Sequence, residues 1–221
     1  MKDKNLFLKI FPKSQQKLFE KLSKQIFIKD YYLAGGTALA LLIGHRISID
    51  FDFFKENNID LENLKNDLKE LGKIKIIQEK KNTFYCEIDN IRLSFIAYKY
   101  KLLDEFRIYD NLHIANLVDI ACMKLSAICS RSSKKDFVDL YFLLQKFSLK
   151  LLLEKFYQKY GKDVVNEYQL LKAMIYFEEA ENEPMPMLLE NIKWEKIKES
   201  IIEKVQKYNF KKNNSRINIE E

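Results

Sequence analysis

The stretch YLAGGTALALLIGHRISIDFDFF, Tyr32 to Phe54, sets the main constraint on the fold. Two adjacent glycines, Gly35 and Gly36, precede a short apolar run, and two aspartates, Asp50 and Asp52, then alternate with hydrophobic residues. Alternation with a period of two indicates a β-strand in which both carboxylates lie on one face. Because a carboxylate on an apolar strand is costly to desolvate, this face needs a counter-charge.

The elements on either side of the glycines follow from local signals. The spacing of apolar residues predicts a helix over Leu18–Phe27 and a short strand over Tyr31–Leu33. Thr37 is expected to cap the next helix, and Gly44 is expected to end it. The strand Ser48–Phe54 then places its apolar side chains on the face opposite the acids, namely Ile49, Phe51 and Phe53.

Downstream, the pattern predicts a helix over Leu61–Leu71 and three β-strands over 73–80, 83–88 and 91–100. Asp89-Asn90 is a tight-turn signal that joins the last two strands as a hairpin. From about His113 the apolar period becomes helical, and further helices are expected over 163–181 and 191–208.

These elements predict an α+β fold in a chain of 221 residues, which is long enough to bury a substantial core. We predict a mixed α/β domain over residues 1–112 and a helical domain over 113–208. The polar segment 209–221 is predicted to be a disordered tail.

Composition limits the possible chemistry. The 38 Lys and Arg residues against 32 Asp and Glu give a formal charge of +6, which favours a polyanionic partner such as a nucleotide or nucleic acid. A lysine-rich surface that serves only solvation is an equal alternative. Three cysteines without CxxC spacing and two histidines exclude a structural zinc cluster. Since no signal peptide or membrane segment is recognisable, we predict a reduced, soluble, cytoplasmic protein.

Paired carboxylates behind a glycine turn are typical of a site for a metal-bound nucleoside triphosphate. Hard oxygen ligands hold Mg²⁺, or Mn²⁺, through one or two carboxylates together with phosphate oxygens. Gly35 and Gly36 let the backbone approach phosphates, and the free N–H groups at the start of the following helix favour anions. Asp50 and Asp52 are therefore the predicted metal ligands.

Two motifs carry a resemblance to a known family. AGGTALALLIGHRISIDFDFF together with LVDIACMKLSAICSRSSKKDFVDLYFLL, Leu117 to Leu144, resembles the nucleotidyltransferase AbiEii/AbiGii toxin family of type IV toxin–antitoxin and abortive infection systems. The later run YFEEAENEPMPMLL also resembles the C-terminal segment of that family, so that the resemblance covers roughly Phe27 to Trp194.

The resemblance implies a polymerase-β-like nucleotidyltransferase domain followed by a helical domain. In that scheme Gly36 and Thr37 contact the triphosphate, and Asp50 and Asp52 hold two metal ions that activate an attacking hydroxyl and stabilise the pyrophosphate. It further implies an RNA acceptor such as the tRNA 3′ end, and a winged-helix antitoxin that acts without a stable complex.

Lys124 and Asp136 each have two interpretations. The position of Lys124 at the edge of an apolar helix stripe favours a side chain that extends its amine to solvent. The family resemblance instead makes it a lysine that meets phosphates or the acidic strand. Asp136 fits a capping box with Ser133, whereas the resemblance makes it a partner of Lys124 or an assistant in proton transfer. Asp139 is predicted to form a structural salt bridge.

Three further polar residues have predicted roles. Arg46 is predicted to lie near the aspartates or the triphosphate, and Arg131 is predicted to hold a phosphate, although a solvated loop arginine is the usual alternative. His45 is expected to pack or to hydrogen-bond within a loop rather than to act in catalysis.

One departure from the common pattern concerns a third carboxylate. Many nucleotidyltransferases carry it on a neighbouring strand, where this chain has Ser94, and Glu87 lies across the predicted hairpin. The alternative function is therefore a catalytically weak or degenerate nucleotide- or RNA-binding module of the same fold. A kinase-like phosphotransferase, which would transfer the γ-phosphate, is a third hypothesis.

Overall fold

A seven-stranded mixed sheet organises the amino-terminal part of the chain in the computed structural model, which describes residues 6–217 and the side chains of residues 6–209. The chain divides into two compact units, Met1–Ile120 and Ala121–Glu221. This division falls after Ile120, eight residues beyond the domain boundary predicted after residue 112. None of the helices in the described part is both long and apolar enough to cross a membrane.

The first unit holds the strands and three complete α-helices among its described residues. The strands are β1 Tyr32–Ala34, β2 Phe51–Lys55, β3 Ile74–Lys80, β4 Thr83–Ile88, β5 Ile91–Ala97, β6 Arg107–Tyr109 and β7 Leu112–Ile114. The helices are α1 Lys13–Lys24, α2 Gly35–Ile43 and α3 Leu61–Lys69, with 3₁₀ turns at Leu8–Ile10 and Phe27–Asp30.

The strand order β3-β4-β5-β2-β1-β7-β6 places β2 near the centre of the sheet. It pairs antiparallel with β1 and parallel with β5. One face of the sheet carries large buried rings: Phe51, Phe53 and Phe95 are completely buried, and the Phe53 and Phe95 rings stack 5.0 Å apart. Phe19 of α1 covers this face with its ring centre 6.1 Å from that of Phe51.

Residues of the other face alternate with these. Asp52 and Phe54 of β2 are half-buried, as the period of two requires. The strand is shorter than predicted, because it begins at Phe51 rather than Ser48. Ile49 was predicted to share the buried face, and this prediction was wrong: Ile49 precedes the ladder and is 56% exposed.

Two further predictions for the first unit need correction. Thr37 does not cap α2, because the helix begins at Gly35 with Ala34 in the N-cap position. The hairpin β6–β7 was not predicted, since its three-residue strands are too short to show a period. Gly44 ends α2 in the left-handed conformation at φ 65°, as predicted.

The second unit is helical. The division falls within α4, Leu117–Arg131, and the helices that follow are α5 Lys134–Lys146, α6 Leu149–Tyr160, α7 Glu167–Met174, α8 Glu178–Glu181 and α9 Trp194–Ile217. Phe137 of α5 packs against Phe177 at 4.8 Å and Trp194 at 6.1 Å between ring centres. The α9 backbone extends into the predicted tail 209–221, of which residues 218–221 lie outside the described part.

The turn between β4 and β5 gives a test of local geometry. Asp89 and Asn90 form the predicted two-residue connection, with φ values of 52° and 65°, and Ile88 pairs with Ile91. Because a left-handed backbone is unfavourable for residues with a Cβ, Asp89→Ala/Asn90→Ala should lower the free energy of unfolding by about 1–2 kcal/mol. Urea denaturation measures this change. Asn90→Gly is the control, and equal losses in both variants would contradict the argument.

Candidate active site

Asp52 lies at a position where three strands meet. In the sheet register it stands opposite Ala34 of β1 on one side and Ser94 of β5 on the other. The Ser94 hydroxyl, which is 4% exposed, donates a hydrogen bond of 2.7 Å to Asp52 Oδ1. The residue at the position of the third carboxylate therefore fixes the orientation of one of the two acids.

Gly35 contacts the other oxygen of the same carboxylate. Its backbone has a φ of +69°, and a Cβ built on it would lie 2.8 Å from Asp52 Oδ2. Only glycine combines this conformation with so close an approach. Asp52 is thus held between Ser94 on one strand and the start of α2 on the other side.

Thr37 fixes the segment that leads to Asp50. Its hydroxyl, which is 1% exposed, donates to the backbone carbonyl oxygen of Asp50 and lies 2.9 Å from the Ser48 hydroxyl. Gln15 of α1 donates to the Ser48 carbonyl oxygen at 3.1 Å. Ser48 was not predicted to take part in this site, because a single serine ahead of a strand forms no recognisable sequence pattern. In this structure Thr37 acts on the protein backbone, and its predicted contact with a triphosphate stays a prediction.

Arg46 lies against the first turn of α2. It is 4% exposed, and a Cβ on Gly36 would overlap with its Nη2 atom. The guanidinium donates from Nη1 to the Ile47 carbonyl oxygen at 3.0 Å. A helix N-terminus and a guanidinium both attract anions, so the two together favour a phosphate at this end of the sheet. His45 beside it is 2% exposed, in agreement with the expected packing position.

The donor set fits a divalent cation that also binds phosphate. Asp50 and Asp52 supply hard oxygen ligands, which Mg²⁺ combines with substrate phosphates rather than with a complete protein cage. Residues 6–217 contain no group of three or more His, Cys, Asp or Glu that could hold a metal ion by themselves.

Glu87 does not replace the missing third acid. It stands opposite Arg92, whereas Tyr85 stands opposite Ser94. Its carboxylate lies 3.4 Å from Lys75 Nζ and 3.6 Å from Arg92 Nε. Glu87 therefore pairs with surface cations two residues along the ladder from Ser94.

The second group of predicted residues forms a buried ion cluster in the second unit. Lys124 Nζ lies 2.9 Å from Asp136 Oδ1 and 2.6 Å from Asp139 Oδ2, and both carboxylates are completely buried. Arg131 Nε and Nη2 donate to the two oxygens of Asp136 at 2.7 and 3.0 Å. Two cations and two carboxylates balance in charge, as burial requires.

These contacts decide between the interpretations given above. Lys124 does not extend its amine to solvent, because it is 4% exposed and paired. The capping box was also wrong, since Ser133 makes no side-chain cap and Asp136 accepts from Lys124 and Arg131 instead. The pairing of Asp136 with Lys124 is confirmed, as is the salt bridge of Asp139. Any role of Lys124 or Asp136 in a reaction stays a prediction.

Comparisons with known proteins agree with this fold. By fold the chain is similar to JHP933 from Helicobacter pylori, with a TM-score of 0.57 at 20% identity over 94% of this chain and 97% of that one. It is also similar to MenT4, the nucleotidyltransferase toxin Rv2826c of Mycobacterium tuberculosis H37Rv, with a TM-score of 0.52 at 12% identity over 88% and 84% of the two chains. The fold class is thus α+β of the nucleotidyltransferase type.

The family follows from sequence. Residues 16–213 match the family model described as nucleotidyl transferase AbiEii toxin, type IV TA system. A protein of Aquifex aeolicus (strain VF5), the uncharacterized protein aq_aa25, is 37% identical over 204 residues, which cover 89% of this chain and 96% of that protein. The chain belongs to the AbiEii nucleotidyl transferase toxin family, which confirms the resemblance.

The buried cluster should dominate the acid sensitivity of the second unit. Burial alone would raise the pKa of Asp136, but the charge of Lys124 and the hydrogen bond from Arg131 hold this pKa below its ordinary 3.8. A lowered pKa contributes stability above pH ~4 that is lost as the pH falls through the folded-state value. Asp136→Asn should therefore lower the free energy of unfolding by roughly 3–5 kcal/mol near pH 7.

The measurement is urea denaturation between pH 7 and pH 3. We expect the difference in free energy of unfolding between wild type and Asp136→Asn to narrow below pH ~4, because the Asp136 carboxylate of the unfolded wild type becomes protonated there, whereas the folded protein, with its lowered pKa, takes up this proton only at lower pH. Asp163→Asn is the matched control, because Asp163 is exposed. A difference that stays constant with pH would contradict the assignment of the ion cluster to stability.

Proposed function

We propose that this protein transfers a nucleoside monophosphate from a nucleoside triphosphate to a hydroxyl of an RNA acceptor such as tRNA, and that it does so as the toxin of a toxin–antitoxin pair in the cytoplasm. The observation that carries the proposal is the fixed carboxylate of Asp52. It lies against Gly35 at the start of α2 and beside Ser94, and Asp50 lies two residues before it. The family supports the transferase class.

In the proposed reaction the acceptor oxygen forms a bond to the α-phosphorus. The bond between this phosphorus and the oxygen bridging to the β-phosphate breaks, pyrophosphate leaves, and the hydroxyl proton passes to solvent or to a base. Asp50 and Asp52 would hold Mg²⁺ or Mn²⁺, which supplies positive charge to the attacking and leaving oxygens when bound. The N-terminus of α2 and Arg46 would orient the triphosphate.

Roles for the second cluster are also proposed. Arg131 is the accessible cation of that cluster, with a side chain 57% exposed and a guanidinium fixed by Asp136. It is suited to contact a phosphate of the nucleotide or the acceptor. Lys124 would bind phosphate only by exchanging one of its carboxylate partners, and Asp136 would then take part by positioning both cations. A winged-helix antitoxin without a stable complex remains the proposed partner.

The first test is a transfer assay with purified protein, Mg²⁺, total tRNA and each α-³²P-labelled nucleoside triphosphate. Label should enter RNA with wild type, and Asp50→Asn or Asp52→Asn should reduce the rate at least about a hundredfold, because loss of a metal ligand removes several kcal/mol of transition-state stabilisation. Asp163→Asn should react like wild type. Normal transfer or normal growth arrest with either site variant would refute the catalytic role of the aspartates.

Parallel reactions with γ-³²P-labelled triphosphate separate the kinase-like alternative. A nucleotidyltransferase releases the γ-label as pyrophosphate and leaves the acceptor unlabelled. Label that enters the acceptor from the γ-position would identify a phosphotransferase instead.

A binding module is the second candidate function, and Ser94 is the observation that favours it. If the protein is an active enzyme, Ser94→Ala should slow transfer roughly tenfold, since Asp52 loses the hydrogen bond that orients it. If the natural protein is degenerate, Ser94→Asp should create transfer where wild type shows none. Circular dichroism and nucleotide binding of both variants control for folding, because Ser94 is buried.

A further inference from the structure

A row of aromatic side chains in successive contact passes close to Asp52 on the central sheet. Phe54 lies two residues after Asp52 on β2, and it therefore projects from the same face of the sheet about 7 Å further along the strand. The Tyr32 ring stacks against Phe54, with ring centres 5.8 Å apart. Asp52 and this pair of rings thus share the sheet face opposite the apolar core.

The row extends from this pair in both directions. On one side Phe106 lies 6.3 Å from Tyr32 and stacks on His113 at 4.5 Å with an interplanar angle of 10°. On the other side Tyr98 lies 5.5 Å from Phe54, and the next ring, Tyr100, lies 5.2 Å from Tyr98. We name these six residues the aromatic row: His113, Phe106, Tyr32, Phe54, Tyr98 and Tyr100.

Four members of the aromatic row line an open cavity of about 360 Å³ in the first unit, namely Tyr32, Tyr100, Phe106 and His113. The cavity lies where β1 begins and β2 ends, at the opposite end of these strands from Gly35 and Asp50. Phe106 is the most accessible of its rings at 41% exposed. Tyr32 also lines the cavity, and its hydroxyl is a buried atom without a hydrogen-bond partner among the described residues.

The cavity beside these rings is lined by more lysines than acids. Lys29, Lys55 and Lys101 line the same cavity, against the acids Asp30 and Glu56. Lys55 lies 3.5 Å from Asp30 and 5.3 Å from the centre of the Tyr31 ring. With three lysines against two acids, the cavity lining carries a net positive charge.

His113 does not add to that charge. Burial lowers the pKa of His113 below its ordinary 6.5, which further favours the neutral imidazole at pH 7. Its stacked contact with Phe106 thus belongs to the aromatic surface.

Aromatic faces with lysines beside them are the combination that binds unpaired nucleotides. Bases stack on the rings whatever their identity, and lysines contact the phosphates between them. A fully apolar ligand would leave the lysines unused, and a small anion would leave the rings unused. The cavity and the aromatic row together match a ligand that carries both groups in succession.

We propose that the aromatic row and the lysines of this cavity bind the single-stranded end of the RNA acceptor, with the rings of Phe54 and Tyr32 on the same sheet face as Asp52. This inference rests on the proposed transfer to RNA and gives the acceptor a site distinct from that of the triphosphate. The site belongs wholly to the first unit.

The test measures RNA binding without nucleotide, by fluorescence anisotropy of a 5′-fluorescein-labelled (CA)₄ RNA octamer. Lys29→Ala/Phe106→Ala removes one charge and the most exposed ring of the site. We expect its Kd to rise at least about fivefold, because stacking of one base on an aromatic side chain accounts for that much affinity or more. Both side chains are exposed, and the variant should retain the circular dichroism spectrum and Tm of wild type.

A matched control removes the same chemistry elsewhere. Lys150→Ala/Tyr168→Ala deletes an exposed lysine and a 75% exposed ring in the second unit, and its Kd should stay within about twofold of wild type. Asp52→Asn should also bind the octamer within about twofold, since that change lies at the triphosphate end. Unlabelled AMP should compete only at far higher concentration than unlabelled octamer, because it offers a single base and phosphate.

Each contrary outcome overturns the proposal. The proposal is wrong if the octamer does not bind to wild type. It is also wrong if Lys29→Ala/Phe106→Ala and Lys150→Ala/Tyr168→Ala lose the same amount of RNA affinity, since this would indicate diffuse electrostatic binding. Loss confined to Asp52→Asn would place the RNA at the carboxylates, and competition by AMP as strong as that by octamer would indicate a mononucleotide site. If the transfer assay fails but RNA binding still depends on Lys29 and Phe106, the proposed reaction is refuted and the RNA site is not.

Discussion

The contact of the Asp52 carboxylate with Gly35 and Ser94 is the constraint on which the first unit depends. One oxygen accepts from Ser94 at 2.7 Å, and the other lies where a side chain on Gly35 would be. The pairing of β2 with β1 and β5 places both Gly35 and Ser94 beside Asp52. A shift of one residue in that register would turn Asp52 into the apolar core and Phe53 toward solvent. The buried stack of Phe53 on Phe95 therefore stabilises the orientation of the acid.

The two faces of the central sheet have different roles in the first unit. The face with Phe51, Phe53 and Phe95 supplies the hydrophobic free energy, since these rings are completely buried. The other face is polar at the start of β2 and aromatic at its end, where Phe54 contacts Tyr32 and Tyr98. A single strand thus carries groups suited to phosphate and metal at one end and groups suited to bases at the other.

The cluster in the second unit shows how buried charge is tolerated. Lys124 contacts Asp136 and Asp139, and Arg131 binds both oxygens of Asp136, so that no carboxylate of the cluster is left without a cation. Sequence spacing placed Lys124 at the edge of an apolar stripe and Asp136 near a helix start. It did not identify the contact between them, because helices α4 and α5 meet only in the folded unit. The family resemblance, rather than periodicity, indicated that pairing.

The sequence by itself determined the α+β class, the strand with Asp52 on the face opposite Phe51 and Phe53, the Asp89-Asn90 turn and the end of α2 at Gly44. These features depend on periods of two or on backbone conformations that few residues adopt, and both are visible in the residue order. Tertiary structure alone decided that Ser94 contacts Asp52, that Thr37 bonds to the Asp50 carbonyl group instead of capping a helix, and that Ile49 is exposed. It also assembled the aromatic row, whose members come from β1, β2, β7 and the loops after β5. The physical reason is that contacts between distant segments depend on strand register and side-chain direction, which local pattern does not encode.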